Sequence, residues 1–262
     1  MRESLAVGKA SRKKLAVRPD ARQQTMAEIS QALTDPQRLI QLGEEIEAKV
    51  DALISRVFSA NDRLRNMGKP LPQVACRRGC SWCCHTMRVL ATPLEILTLA
   101  AYLRSTRSVE ELADLLAKLK AYDSQMHVTS DGLPAAQLMA CPFLSDEGAC
   151  TVYPARPIGC RGFHSLNVER CQRRYSEPTF GEIPQFIDIF DQVGPVTIGI
   201  WDGLQSRGLR GSPLLLARAM VIALEIPDAA DRYLAGEDIF ASATSPEIER
   251  SARQQSLTPN KA

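Results

Sequence analysis

Apolar residues recur at Leu39, Leu42, Ile46, Val50, Leu53, Val57 and Leu64, spacings that align on one face of a helix over 35–66. Asp35 followed by Pro36 supplies a cap and a first helical position suited to a fixed φ. A face of this kind packs into a core or pairs with another helix, so helix 35–66 is also the place where a protein partner would dock. Met67-Gly68-Lys69-Pro70-Leu71-Pro72 then breaks the helical pattern.

Two further helices are expected in quick succession. Thr92-Pro93-Leu94-Glu95 combines a capping box with proline at the first helical position, ahead of an apolar run through Leu103. Ser108-Val109-Glu110-Glu111 repeats the box ahead of Leu112, Leu115, Leu116 and Leu119, which predicts a helical hairpin across Arg104 to Ser108. Asp123 to Ala140 has weak periodicity and contains the turn pair Asp131-Gly132, so it reads as a loop. Cys141-Pro142-Phe143-Leu144 and Cys150-Thr151-Val152-Tyr153 flank Ser145-Asp146-Glu147-Gly148, which predicts a short β-hairpin.

Helical patterns return over Ile183–Leu204, from Ser212-Pro213 to Leu224, and near Asp228–Leu234. The expected fold is mainly α: one helical domain over 35–240, organised around a cysteine-rich core at 70–175. Residues 1–34 read as a disordered basic arm, because Met1 to Arg22 carries seven basic side chains against Glu3 and Asp20. Residues 241–262 are polar and aperiodic and read as a flexible tail.

Composition narrows the function classes. The 32 basic and 30 acidic side chains leave a formal charge of +2, too small to create a field that favours nucleic acid. The most apolar run, Leu214 to Ile226, is interrupted by Arg218 and Glu225 and falls short of a bilayer span, so no membrane role is expected. Eight cysteines with no secretory signal pattern at the start point to a cytoplasmic protein, where thiols bind metal or do redox chemistry more often than they form disulfides.

Those cysteines fall in two groups. Cys76, Cys80, Cys83 and Cys84 lie within nine positions as C-x3-C-x2-C-C, a spacing that lets a tight turn aim several thiolates at one point. Cys141, Cys150, Cys160 and Cys171 follow, the last alone in a polar stretch. All eight are candidate metal ligands. Four thiolates complete a tetrahedral zinc site or anchor a [4Fe–4S] cluster, so the count allows two centres, or one with spare thiols. Adjacent side chains of an extended segment point to opposite sides, so Cys83 and Cys84 are expected to serve different metal atoms, or one of them is not a ligand.

Of the three histidines, His85 follows Cys84 and His164 stands four after Cys160; each reads as a ligand, a proton carrier or a neighbour of the ligands. His127 has no partner visible in the sequence. Arg77, Arg78, Arg88, Arg156, Arg161, Arg170, Arg173 and Arg174 crowd the cysteine segments and suit compensation of thiolate charge. Glu95 is explained by helix capping and Tyr153 by packing.

Taken in order, Cys76-Arg77-Arg78-Gly79-Cys80-Ser81-Trp82-Cys83-Cys84, Cys141-Pro142-Phe143-Leu144, Cys150-Thr151-Val152-Tyr153 and Arg156-Pro157-Ile158-Gly159-Cys160-Arg161 resemble the YkgJ-like CxxCxxCC cysteine-cluster family. The first gap holds three residues where the simplest family pattern has two. The resemblance spans roughly 70–175 and implies chelation of zinc or iron, with an iron–sulfur cluster among the forms iron could take. It fixes no reaction. A relative sharing the cysteine pattern is the flagellin lysine methylase, so a redox or methyl-transfer enzyme stands beside a metal-binding protein and an interaction protein with structural zinc as readings of the chain. No glycine-rich phosphate loop or serine-hydrolase elbow accompanies the cysteines.

Overall fold

The computed structural model describes residues 21–77, 79–126, 139–177, 181–244 and 246–250. Its first helix, α1 (Ala21–Ala32), falls inside the stretch expected to be a disordered arm. That expectation fails from Ala21 onward, while residues 1–20 lie outside the described residues. The sequence of α1 is mostly polar, and only Thr25 and Ile29 are buried. What holds it is close packing on a later helix, α8, described below.

Helix α2 (Pro36–Asn66) is the long helix read from the apolar spacing. Asp35 caps it by accepting a hydrogen bond from Arg38 N at 2.9 Å. At 31 residues it is about 46 Å long. Leu39, Leu42, Ile46, Val50, Ile54 and Val57 are all buried, so its apolar face is spent on the core of this chain. A short helix α3 (Trp82–Thr86) leads to strand β1 (Leu90–Ala91) and then α4 (Pro93–Thr106) and α5 (Val109–Gln125). Both expected capping boxes form, at Thr92/Glu95 and at Ser108/Glu111.

The second cysteine segment carries α6 (Ile158–Gly162) and α7 (Val168–Ser176). After it come α8 (Ile187–Ser206), strand β2 (Leu214–Leu215), α9 (Leu216–Glu225) and α10 (Ala229–Leu234). Strands β1 and β2 pair antiparallel, Leu90 opposite Leu215 and Ala91 opposite Leu214. The fold is therefore mainly α with small antiparallel pieces. The expected hairpin around 145–148 shrinks to one bridge between Leu144 and Cys150, because the chain turns into a 3-10 helix at Tyr153–Ala155 instead of continuing as a strand. The expected loop from Asp123 starts later, since α5 runs to Gln125; residues 127–138, with His127, lie outside the described residues.

Helix α2 packs on α4 and α8, α1 lies along α8, and α9 packs against both α4 and α5. Helices α4 and α5 meet α9 more than each other, so the expected hairpin is splayed. The reason is that α5 buries only Leu119, leaving Leu112 and Leu115 at the edge of the core. Contact between α1 and α8 depends on Gly199 and Gly203. A Cβ at Gly199 would stand 2.6 Å from Arg22 O, and one at Gly203 would stand 2.7 Å from Ile29 Cβ. The tail is not loose throughout: residues 246–250 are helical, Ile248 is buried with Met126 and Leu215, and Glu249 accepts hydrogen bonds from Ser212 and Arg210.

Candidate metal centre

Gly79 has φ +82°, a left-handed conformation that a side chain would strain, and it lets the chain fold back so that Cys80 N donates to Arg77 O at 3.0 Å. The chain then enters α3, which carries Cys83 and Cys84. Cys141 N donates to Cys84 O at 2.7 Å, joining the two cysteine segments through their backbones. A second left-handed glycine, Gly148 at φ +76°, turns the chain between Cys141 and Cys150. A Cβ there would stand 3.6 Å from Ser81 Oγ, so this turn lies against the Cys80–Cys83 loop.

Cys160 rides on α6 and Cys171 on α7, and α7 packs on α3. Tyr175 of α7 meets both Trp82 and His85, with ring centroids 5.4 and 5.3 Å apart. Thus the backbone at Cys141, the turn before Cys150 and the helix of Cys171 all meet the Cys80–Cys84 segment. All eight cysteines are free thiols; Cys171 is buried, Cys76 exposed, and the other six half-buried.

The thiols form two neighbourhoods. Although Cys76 is exposed as a residue, partial desolvation of its sulfur raises the thiol above the usual range, opposed by the N–H of Ser165, which donates to its Sγ at 3.3 Å. The neighbouring charges that raise it further are those of Cys80, Cys83 and Cys171. Cys171 is raised by burial and then by Cys80 and Cys83. On the other side, burial pushes Cys141 up to about 11, and Cys150 and Cys83 act on it in the same direction. Burial likewise raises Cys160, with Cys141, Cys83 and Cys150 adding to it. Cys83 is common to both neighbourhoods. Its thiol is held protonated first by a hydrogen bond with Cys84 and then by burial.

That Cys83–Cys84 contact corrects the expectation that the two side chains diverge. The segment is helical rather than extended, so adjacent side chains are separated by roughly a third of a turn. Divergence is thus no reason to exclude either from ligation.

Arginine makes two different contributions. Arg161, only 2 % exposed, donates to Asp51 at 2.5 Å, Glu47 at 2.8 Å, Pro154 O at 2.5 Å and Arg156 O at 2.8 Å. It latches the helix of Cys160 to α2. Glu95 reinforces the latch, accepting from Ile158 N at 2.7 Å as well as from Thr92. Burial raises the pKa of Glu95 and pushes Glu47 up to about 8.

Arg88 and Arg156 belong instead with the thiols. Arg88 lowers Cys141, while Arg156 lowers Cys150 and Cys160, each against burial. Arg156 lies 4.1 Å over the ring of Tyr153, which is exposed and not packed in the core as expected. Of the other arginines, Arg170 donates to Glu182 O and Arg173 to Glu177, while Arg78 lies outside the described residues.

His164 meets Phe58 edge-on at 5.1 Å; burial lowers its pKa, and its Nδ1 has no hydrogen-bond partner.

Among the described residues, no three His, Cys, Asp or Glu side chains stand together closely enough to hold a metal ion. The thiols are neighbours without forming a closed coordination shell. Their chemistry nonetheless fits zinc or iron, since soft sulfur donors favour both, and the buried unpaired N–H groups of Arg88 and Arg156 beside them suit an anionic thiolate centre.

A family model, CxxCxxCC, described as "Putative zinc- or iron-chelating domain", matches residues 75–181. The resemblance carried by the motifs holds over that segment, which contains all eight cysteines, and the chemistry attached to it is metal binding. No curated protein and no solved structure matches the chain. No helix among the described residues is long and apolar enough to cross a membrane.

Proposed function

We propose that the protein is a metal-binding module in which the eight cysteines hold two four-thiolate centres on either side of α3. Cys76, Cys80 and Cys171 supply three ligands of one centre, Cys141, Cys150 and Cys160 supply three of the other, and Cys83 and Cys84 complete one each. What supports this reading is the way the cysteine segments meet at α3: Cys141 N donates to Cys84 O at 2.7 Å, the Gly148 turn before Cys150 lies against Ser81, and α7, which carries Cys171, packs on α3. The donors come from a loop, α3, a bridge, α6 and α7, so bound metal would tie together segments that share few backbone contacts. Zinc supplies a closed structural cross-link, and iron as a cluster would add electron transfer.

Ligation requires the thiols to draw together and to lose the protons that burial now holds on them. Uptake therefore releases protons and strengthens with pH. The test is elemental analysis of anaerobically purified, untagged protein for zinc, iron and acid-labile sulfide. Two centres predict about two zinc per chain in a colourless protein, or iron and sulfide in similar amounts with broad visible absorption. Cys80→Ser and Cys160→Ser should each lose one centre and keep the other. A single metal, lost equally in both variants, would refute the two-centre arrangement, and no metal in the wild type would refute the reading altogether.

A further inference from the structure

We infer that Arg88 and Arg156 are the counter-cations of the Cys141–Cys150–Cys160 centre, donating N–H···S hydrogen bonds to its sulfur ligands when metal is bound. This rests on the metal-binding reading above and adds to it the charge of one centre.

The argument begins with unpaired donors. Arg88 uses Nη1 on Tyr122 Oη at 3.2 Å and, at 3.4 Å, on Met87 O, while its Nε and Nη2 are buried with no acceptor. Arg156 stacks on Tyr153 and leaves its Nε buried with no acceptor. Among the described residues neither arginine has a carboxylate ion-pair partner. Buried cationic donors without acceptors are costly, and native folds seldom keep them unless something else accepts the bond.

Arg161 shows that this fold can satisfy a buried guanidinium completely, with two carboxylates and two carbonyls. Of the two arginines with unpaired donors, Arg88 acts electrostatically on Cys141, and Arg156 on Cys150 and Cys160. Thiols are poor acceptors, whereas metal-bound thiolates are good ones. Four thiolates around a divalent ion, or around a cluster core of the same charge, carry a formal charge of minus two. Two guanidinium groups cancel it.

In the other set, Cys76 is served by the neutral N–H of Ser165.

The test uses the full chain and measures zinc affinity by competition with a chromogenic chelator, for the wild type, Arg88→Gln, Arg156→Gln and the double variant. Each single change should weaken one of the two zinc sites by about ten- to a hundredfold, the usual effect of losing a hydrogen bond to a metal ligand, and leave the other site unchanged. Arg156→Lys, which keeps the charge, should recover part of the loss.

Melting of the chelator-treated protein supplies a second readout with the opposite sign. Without metal, the Gln variants should melt at the same temperature as the wild type or higher, because buried N–H donors without acceptors have been removed. Variants that bind both zinc ions as tightly as the wild type would overturn the inference. So would variants that melt lower without metal, since that marks a role in packing alone. A wild type that binds no zinc or iron would instead remove the metal-binding reading itself.

Discussion

Replacing Arg161 with methionine should cost about 3–5 kcal/mol, the usual penalty for removing one partner of a buried charge network. The structure explains the size. The guanidinium makes four hydrogen bonds of 2.5–2.8 Å, and of its two carboxylate acceptors Asp51 is half exposed while Glu47 is buried. The carbonyls of Pro154 and Arg156 would be left without this donor, and Glu47, already lacking a partner at Oε1, would lose its remaining one. A loss on this scale is a large fraction of the 5–15 kcal/mol that holds a typical domain. Urea unfolding followed by far-ultraviolet circular dichroism measures it, and for a chain of this length the melting temperature should fall by about 6–20 °C.

Adding Glu47→Leu to Arg161→Met should restore part of the stability, because the stranded carboxyl goes with the guanidinium and apolar surface fills the site. The latch would be refuted by an unchanged urea midpoint in Arg161→Met, or by a double variant whose loss is the plain sum of the two single losses.

The pH dependence has a definite sign. Burial raises Glu47 to about 8 in the folded protein, so between its unfolded value near 4.5 and pH 8 the native state binds more protons than the unfolded one. Stability should therefore fall as pH rises through that window, by up to about 5 kcal/mol from this group, and Glu47→Gln should flatten the slope in urea midpoints measured from pH 5 to 8. Gly199→Ala places a Cβ 2.6 Å from Arg22 O and should destabilise the protein by about 1–3 kcal/mol despite alanine's better helix propensity. A melting temperature equal to the wild type would show that α1 can move away from α8 freely. Thr92→Ala breaks a buried capping box whose Glu95 also holds Ile158 N, and should cost about 1–2 kcal/mol by urea titration. A value near zero would show that Glu95 holds α6 without help from its cap.

The long α2 and the starts of α4 and α5 were legible because their information is local: one apolar stripe, a proline at the first position, and capping boxes that need no distant partner. Helix α1 was not, because its stability is written elsewhere in the chain. Two glycines of α8 admit a polar helix bearing only Thr25 and Ile29 as buried residues, and no reading of Ala21–Ala32 alone contains Gly199 or Gly203. The same holds for residues 246–250, kept in place by Ile248 and by the bonds of Glu249 to Ser212 and Arg210.

In the candidate site, spacing singled out the eight cysteines as candidate donors but not which segments the fold brings together. Their meeting is a consequence of tertiary packing: α7, which carries Cys171, lies on α3, and Cys141 N donates to Cys84 O. Arginine is the clearest case. The sequence offered eight near the cysteines with nothing to rank them, and the fold sorts them by their acceptors. Arg161 finds carboxylates on α2, more than a hundred positions away; Arg170 and Arg173 find acceptors close by in the chain. Arg88 and Arg156 keep buried donors without acceptors beside three thiols. A residue's role in this site is therefore set by what the rest of the fold fails to satisfy, which no count of charges along the chain can contain.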